Sequence, residues 1–289
     1  MKRNRLLEVV YLVPIFCFMV FKIDYGFIDY QLRRMRTAKA DAINITFNPT
    51  KHIYTVNGVK TPSVTTILGI LNKPGLLNWG IRLVVEYLAK NKIVPDPTKS
   101  YQYLRLAMNA RDEAADTGTK VHSAIEKYLR NGQPSSFSPP QEAGTAFSAF
   151  LKWLETNHLE PVALEGVVVS LEHGYAGTFD MLATVDGTLW LVDFKTAKDF
   201  FAEYVMQLSA YKAAIEEMGG YWVREGENYV FKPLLVPIET VGILRLDKET
   251  GMPHFKAYSE EELSQALEKF IALSTYYHLN QQTAGNSSP

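Results

Sequence analysis

Apolar and polar positions follow different patterns in the two halves of the chain. Between residues 43 and 47 every second side chain is apolar, and the strand-like run 52–56 leads into Asn57-Gly58. Asn-Gly is a strong signal for a two-residue hairpin turn. The first element predicted is therefore a small β-hairpin over residues 43–60.

The stretch that follows carries apolar residues at helical spacing. Pro62-Ser63 opens a helical segment with apolar positions up to Leu71, and Pro74-Gly75 stops it. Further helices are predicted at 76–92, 101–130 and 141–157, and a break near Thr117-Gly118 is an alternative to one continuous helix.

Strand-like patterns take over after residue 161. Strands are predicted at 163–170, 178–185 and 188–195, followed by a helix at 201–218 and a strand at 239–246. Ser259 and Glu262 form a capping box that begins a closing helix at 260–279. This order of elements predicts an α/β fold with a central mixed β-sheet flanked by helices, preceded by a helical region.

Length and charge limit the classes of protein that the chain can belong to. Its 289 residues suffice for one large α/β domain or two small ones. The net charge of −1 excludes the global basic field of a nucleic-acid coat protein, so any nucleic-acid contact must come from a local groove. Cys17 is the single cysteine, which excludes an intramolecular disulfide and a cluster held by four thiolates.

The N-terminus does not fit the globular pattern. The apolar run Leu6–Phe21 follows Lys2, Arg3 and Arg5, and its 16 residues fall short of the ~20 that span a bilayer. Three interpretations stay open: a membrane-associating segment, a helix packed on the domain, or a non-native extension with translation starting at Met35. Residues 1–40 are therefore left out of the fold prediction.

One predicted hairpin brings three charged residues together. Asp186-Gly187 is a favoured two-residue turn, and counting outward from it places Asp180 directly opposite Asp193. Their Cβ atoms would lie roughly 4.5–5.5 Å apart on one face. Lys195 is two residues beyond Asp193 and points to the same face.

Two carboxylates facing each other on a buried hairpin require a positive partner. The neighbouring residues are apolar, so a solvated hairpin with scattered charges is a weaker interpretation. Mg²⁺ is held by one or two carboxylates together with water and substrate phosphate. Such a metal would activate a water molecule, and Lys195 would orient that water or stabilise charge on the phosphorus centre.

The same residues resemble a known family. Asp180, twelve intervening residues and Asp193-Phe-Lys195 resemble the motif of the PD-(D/E)XK nuclease superfamily, although Phe179 stands where the motif has proline. Gly118-x-x-x-His122 and Gln207-x-x-x-Tyr211 resemble two motifs of the RecB-type exonuclease branch, which includes phage and mitochondrial genome maintenance exonucleases.

The resemblance implies a restriction-endonuclease-like core with Asp180, Asp193 and Lys195 as catalytic residues. It implies one or two Mg²⁺ or Mn²⁺ ions bound by His122, Asp180, Asp193 and the backbone carbonyl of Phe194. An imidazole ligand is softer than Mg²⁺ prefers, so Mn²⁺ is included as an alternative metal. The lack of three further cysteines argues against the iron–sulfur members of the family.

Five further residues are candidates for substrate contact or for support of the site: Glu165, Gln207, Tyr211, Lys120 and Lys198. Each also has an ordinary structural interpretation. Glu165 could be a solvated strand end, Tyr211 could belong to the apolar stripe of its helix, and the two lysines could be solvated.

The function predicted is a metal-dependent DNA nuclease, specifically an exonuclease acting in recombination, repair or replication. Its partners would be single-stranded DNA or duplex ends, together with recombination or replication proteins. The cytoplasm of a bacterial or phage-infected cell is expected, with membrane association through residues 6–21 as an alternative. Residues 41–282 would form one domain, with a helical wall at 60–160, a catalytic core at 118–280 and a disordered tail at 283–289.

Two other functions fit the sequence less well. A catalytically inactive module that binds nucleic acid or a protein would not need the complete Asp180, Asp193 and Lys195 set. A hydrolase using the two carboxylates as an acid/base pair is opposed by Lys195, which would hold both carboxylates ionised.

Overall fold

The computed structural model describes residues 8–10, 20–22, 40, 42–48, 53–71 and 73–285. The strands are β1 Glu8–Val10, β2 Val20–Lys22, β3 Ile45–Asn48, β4 Ile53–Val56, β5 Val59–Thr61, β6 Leu159–Ser170, β7 Tyr175–Val185, β8 Thr188–Lys195, β9 Gly220–Glu225, β10 Asn228–Pro233, β11 Thr240–Leu246 and β12 Pro253–Ala257. The α-helices are α1 Val64–Leu68, α2 Pro74–Lys90, α3 Ser100–Arg130, α4 Gly144–Leu154, α5 Ala202–Met218 and α6 Glu260–Gly285. Short 3-10 turns lie at Pro97–Lys99 and Gln141–Ala143.

A seven-stranded mixed sheet forms the centre of the protein. Its strand order is β10-β9-β6-β7-β8-β11-β12, and β8 and β11 are parallel while the other neighbours are antiparallel. The predicted α/β class with a mixed sheet flanked by helices is confirmed. β9, β10 and β12, which lie toward the two edges of this sheet, were not predicted.

The β7–β8 hairpin has the predicted register. Val185 pairs with Thr188 and Met181 pairs with Val192 around the turn Asp186-Gly187. Both turn residues have positive φ angles, 47° and 85°, which Asp and Gly tolerate better than other residues. The turn chemistry therefore sets the position of every residue on these two strands.

The N-terminal hairpin belongs to a second, smaller sheet. β4 and β5 are joined by the predicted turn Asn57-Gly58, and β3 adds a third strand alongside β4. A parallel bridge between Ser63 and Ala176 connects this sheet to β7. Ser63 then caps α1, because its hydroxyl accepts the backbone N–H of Thr66 at 2.9 Å.

The helices differ from the prediction mainly at their ends. Pro74 lies in the first turn of α2 instead of stopping the preceding helix, since proline fits a position where an N–H has no partner. α3 is continuous, so the alternative of a break at Thr117-Gly118 is wrong. Gly118 instead allows close packing, because a Cβ there would lie 3.3 Å from the hydroxyl of Thr196.

Alternate residues of the central strands point into two separate cores. Leu182, Leu191 and Ile243 pack with α1, α5 and α6. Met181 and Val192 pack on the other side with α3 and α4. The β7–β8 hairpin is therefore enclosed between α5 on one face and α3 on the other.

The structure describes only part of the two chain ends on which predictions were made. β1 and β2 pair with each other, so the residues described there form strands, whereas one interpretation of the apolar run was a helix. The other residues of that run lie outside the described part of the chain. No helix in the described residues is long and apolar enough to cross a membrane. α6 ends at Gly285, beyond its predicted end and three residues into the predicted tail.

Candidate active site

Three ligand-type side chains converge from three elements at the open end of the hairpin. His122 lies on α3, Glu165 on β6 and Asp180 on β7, and one ligand atom from each lies within 4.8 Å of the others. His122 Nδ1 is 3.2 Å from Asp180 Oδ1. Of the predicted metal ligands, His122 and Asp180 are thus brought together, and Glu165 joins them.

Asp180 is fixed where the ladder between β7 and β8 ends. Its Oδ2 accepts the backbone N–H of Phe194 at 2.6 Å. Burial alone would raise the pKa of Asp180, but His122, Lys195 and this N–H together hold it below its usual value. Asp180 is therefore the anionic member of the cluster.

Asp193 forms an ion pair with Lys195 on the same strand. Its Oδ2 is 2.6 Å from Lys195 Nζ, and the side chain is almost wholly buried. The ammonium of Lys195 is therefore the ionic partner of this buried oxygen. Burial and the nearby Asp180 raise the pKa of Asp193 to about 6, against the opposing effect of Lys195.

Lys195 is held by groups on α5. Its Nζ donates to Gln207 Oε1 at 3.1 Å, and Gln207 Nε2 donates to Tyr211 Oη at 2.9 Å. The ammonium also lies 5.0 Å from the ring centroid of Tyr204. Burial lowers the pKa of Lys195, but Asp193 and Asp180 outweigh it and raise the pKa, so the ammonium stays charged.

Glu165 is held in an unusual backbone conformation. Its φ angle is 53°, within a strand where flanking residues Leu164 and Gly166 pair with Met181 and Phe179. Such a conformation costs of order 1–3 kcal/mol for a residue other than glycine and persists only where the surroundings enforce it. The ring of Phe179 lies directly on Gly166, where a Cβ would overlap it.

The environment of Glu165 is short of positive charge. Burial, Asp180 and Glu126 raise the pKa of this carboxyl to about 8. A carboxyl that resists ionisation beside a second carboxylate is the situation that a bound cation reverses.

These residues fit a hard divalent metal. The cluster offers two carboxylates and an imidazole, and the buried carboxylate of Asp193, paired with Lys195, lies on the neighbouring strand. Carboxylate oxygens suit Mg²⁺ and Mn²⁺, and imidazole suits transition metals. The direct role predicted for Asp193 and for the Phe194 carbonyl as ligands stays a prediction.

Two of the predicted substrate contacts are engaged elsewhere. Lys120 Nζ lies 2.9 Å from Asp116 and 3.3 Å from Glu142. Lys198 Nζ lies 2.8 Å from Glu249, and its side chain is 76% exposed. The structure therefore brings Gln207 and Tyr211 to the site but keeps both lysines in ion pairs with acidic side chains.

A cavity of about 280 Å³ opens beside the cluster. Its lining includes His122, Phe194, Lys195, Tyr204 and Lys248. Tyr204 and Lys248 were not predicted as site residues. Lys248 could be found only from the sheet topology, because the residue follows β11 and β11 lies parallel to β8.

The chain matches one family model. The model described as PD-(D/E)XK nuclease superfamily matches residues 142–287. This range contains Glu165, Asp180 and the Asp193-Phe-Lys195 motif, and it begins after His122. No curated protein matches the chain.

Proposed function

The chain belongs to the PD-(D/E)XK nuclease superfamily, and from this premise we propose that it is a metal-dependent deoxyribonuclease. The observation that carries the proposal is a metal-type cluster of His122, Glu165 and Asp180 next to a cavity that His122 and the charged Lys195 both line. We further propose exonuclease activity in DNA recombination, repair or replication. That finer assignment rests on the resemblance of the His122 and Gln207–Tyr211 motifs to the RecB-type branch.

In this proposal His122, Glu165 and Asp180 would hold Mg²⁺ or Mn²⁺, with Asp193 as a further candidate ligand. When bound, such an ion activates a water molecule and stabilises the negative charge of the phosphate.

The residues of the chain supply the remaining steps. Lys195 presents an ammonium to the cavity, and its position is fixed by Asp193, Gln207 and the Tyr204 ring. A fixed cation stabilises developing charge without reorganising during the reaction. The phosphate would bind in the cavity that Lys195 and Lys248 line, although the chain as a whole has a net charge of −1.

The experiment compares cleavage of end-labelled DNA, with single-stranded and duplex substrates, by the wild type and by Lys195→Met. Methionine keeps an aliphatic stem near Tyr204 and removes the charge. Cleavage should fall at least about 100-fold, which corresponds to roughly 2.7 kcal/mol of barrier. The product ladder tests the exonuclease assignment.

Lys232→Ala is the control, because it removes an exposed lysine that pairs with Glu225 on the β9–β10 hairpin. Circular dichroism and thermal unfolding should be used to check that each variant is folded. Wild-type rates in a folded Lys195→Met variant would contradict the role assigned to this lysine.

A further inference from the structure

The loop after β11 lies at the same sheet edge as the end of β8. These strands are parallel, and Arg245 pairs with Lys195 near their carboxyl ends. In open α/β sheets, ligands bind outside the carboxyl ends of parallel strands. Lys248 follows β11 by two residues and lines the same cavity as Lys195 and His122.

The charges on either side of Lys248 are already neutralised by other residues. Asp247 Oδ2 lies 3.2 Å from Arg245 Nη1, and Glu249 Oε1 lies 2.8 Å from Lys198 Nζ. Within the described part of the chain the ammonium of Lys248 has no ion-pair or hydrogen-bond partner. The loop therefore leaves one positive charge without a partner, on a half-buried residue that lines the cavity.

The backbone on both sides of Lys248 is anchored. Asp247 Oδ1 accepts the N–H groups of Glu249 and Thr250, each at 2.9 Å. Lys152 Nζ donates to the carbonyl of Gly251 at 2.8 Å. Since the loop is already ordered, an anion that binds Lys248 does not have to order it first.

We propose that Lys248 binds a backbone phosphate of the DNA strand next to the bond that Lys195 faces. This inference rests on the proposed nuclease function. The ligand class follows from the chemistry: an ammonium without a partner is a point charge suited to a phosphate oxygen. Lys120 and Lys198, the lysines expected from the sequence to contact phosphate, would first have to leave their acidic partners.

Loss of a phosphate contact has a distinct kinetic signature. Lys248→Ala should raise KM for a single-stranded oligonucleotide on the order of tenfold while kcat changes little, because the contact exists before and during the reaction. The slope of log(kcat/KM) against log salt should become shallower by about 0.7, the value for one phosphate contact on a single strand. Lys248→Arg should restore most of the affinity, since it restores the charge.

The control is Lys269→Ala, which removes the same charge from an exposed position on α6. Unchanged KM and salt slope in Lys248→Ala would overturn the inference, as would an equal effect of Lys269→Ala. A wild-type chain that neither cleaves nor binds the oligonucleotide in Mn²⁺ would overturn the proposed function itself, and this inference with it.

Discussion

Replacing Glu165 with glutamine tests the charge balance of the metal-type cluster. The carboxyl has an ordinary pKa of 4.5, and its burial beside Asp180 and Glu126 raises the pKa to about 8. Glutamine has nearly the same shape and cannot ionise. The variant therefore removes an electrostatic penalty while it also removes a ligand.

The size and sign of the effect follow from proton linkage. Between pH 4.5 and about 8 the unfolded chain has released the Glu165 proton whereas the folded chain still holds it. The contribution of Glu165 to the free energy of unfolding is therefore fully present below pH 4.5 and is lost as the pH rises through about 8. At about 1.4 kcal/mol per pH unit, this interval corresponds to a loss of up to about 5 kcal/mol in the wild type that Glu165→Gln does not show.

The assay is urea unfolding followed by circular dichroism across this pH range, in EDTA and in Mn²⁺. In EDTA at high pH, Glu165→Gln should be more stable than the wild type, and the difference should vanish near pH 4.5. Mn²⁺ should stabilise the wild type and have little effect on the variant, which lacks a ligand. Glu160→Gln, at an exposed position on the same strand, is the control.

A Glu165→Gln variant that is no more stable than the wild type in EDTA at high pH would refute this reasoning. A stability difference that does not change with pH would also refute it, because it would show that the effect comes from packing.

Two further predictions concern the elements that hold the site. Gly166→Ala places a methyl group against the ring of the fully buried Phe179, so the free energy of unfolding should fall by about 1–3 kcal/mol. The double variant with Phe179→Leu should recover part of this loss. Strictly additive losses in the double variant would contradict a clash between the two side chains. Tyr211→Phe removes the oxygen that accepts a hydrogen bond from Gln207 Nε2 and should lower the free energy of unfolding by about 1–3 kcal/mol. Because Gln207 also accepts from Lys195, the variant should slow cleavage as well. Unchanged stability together with unchanged cleavage would show that Tyr211 does not position Lys195.

The hairpin could be predicted from sequence because its determinants are local. Asp186-Gly187 sets the turn, and the period of two along β7 and β8 then sets which residues share a face. The contact between Lys195 and Asp193 follows directly from this period. The helix position of Gln207 and Tyr211 follows in the same way from their spacing of four.

The rest of the site depends on contacts between distant segments. Glu165 has a positive φ angle between two residues that pair with β7, and a sequence with the pattern of an ordinary strand gives no sign of it. β9 meets β6 through the single pair Val167–Trp222, so its pairing has no local signal. Lys248 reaches the cavity only because β11 lies parallel to β8.

The ion pairs of Lys120 and Lys198 also depend on contacts that the sequence near the motifs does not show. Glu249, the partner of Lys198, is distant in sequence, and so is Glu142, although the nearer partner of Lys120 is Asp116, four residues before it. A lysine close to a motif is therefore no guide to phosphate contact until the acidic residues around it are known.

The most direct test of the central claim is cleavage of labelled single-stranded and duplex DNA by the folded wild-type protein, in Mg²⁺, in Mn²⁺ and in EDTA. We predict cleavage that a divalent metal supports and that EDTA abolishes, because the carboxylates around Asp180 need a cation to act together. Cleavage that persists at the same rate in EDTA, or no cleavage of either substrate in either metal, would contradict the account.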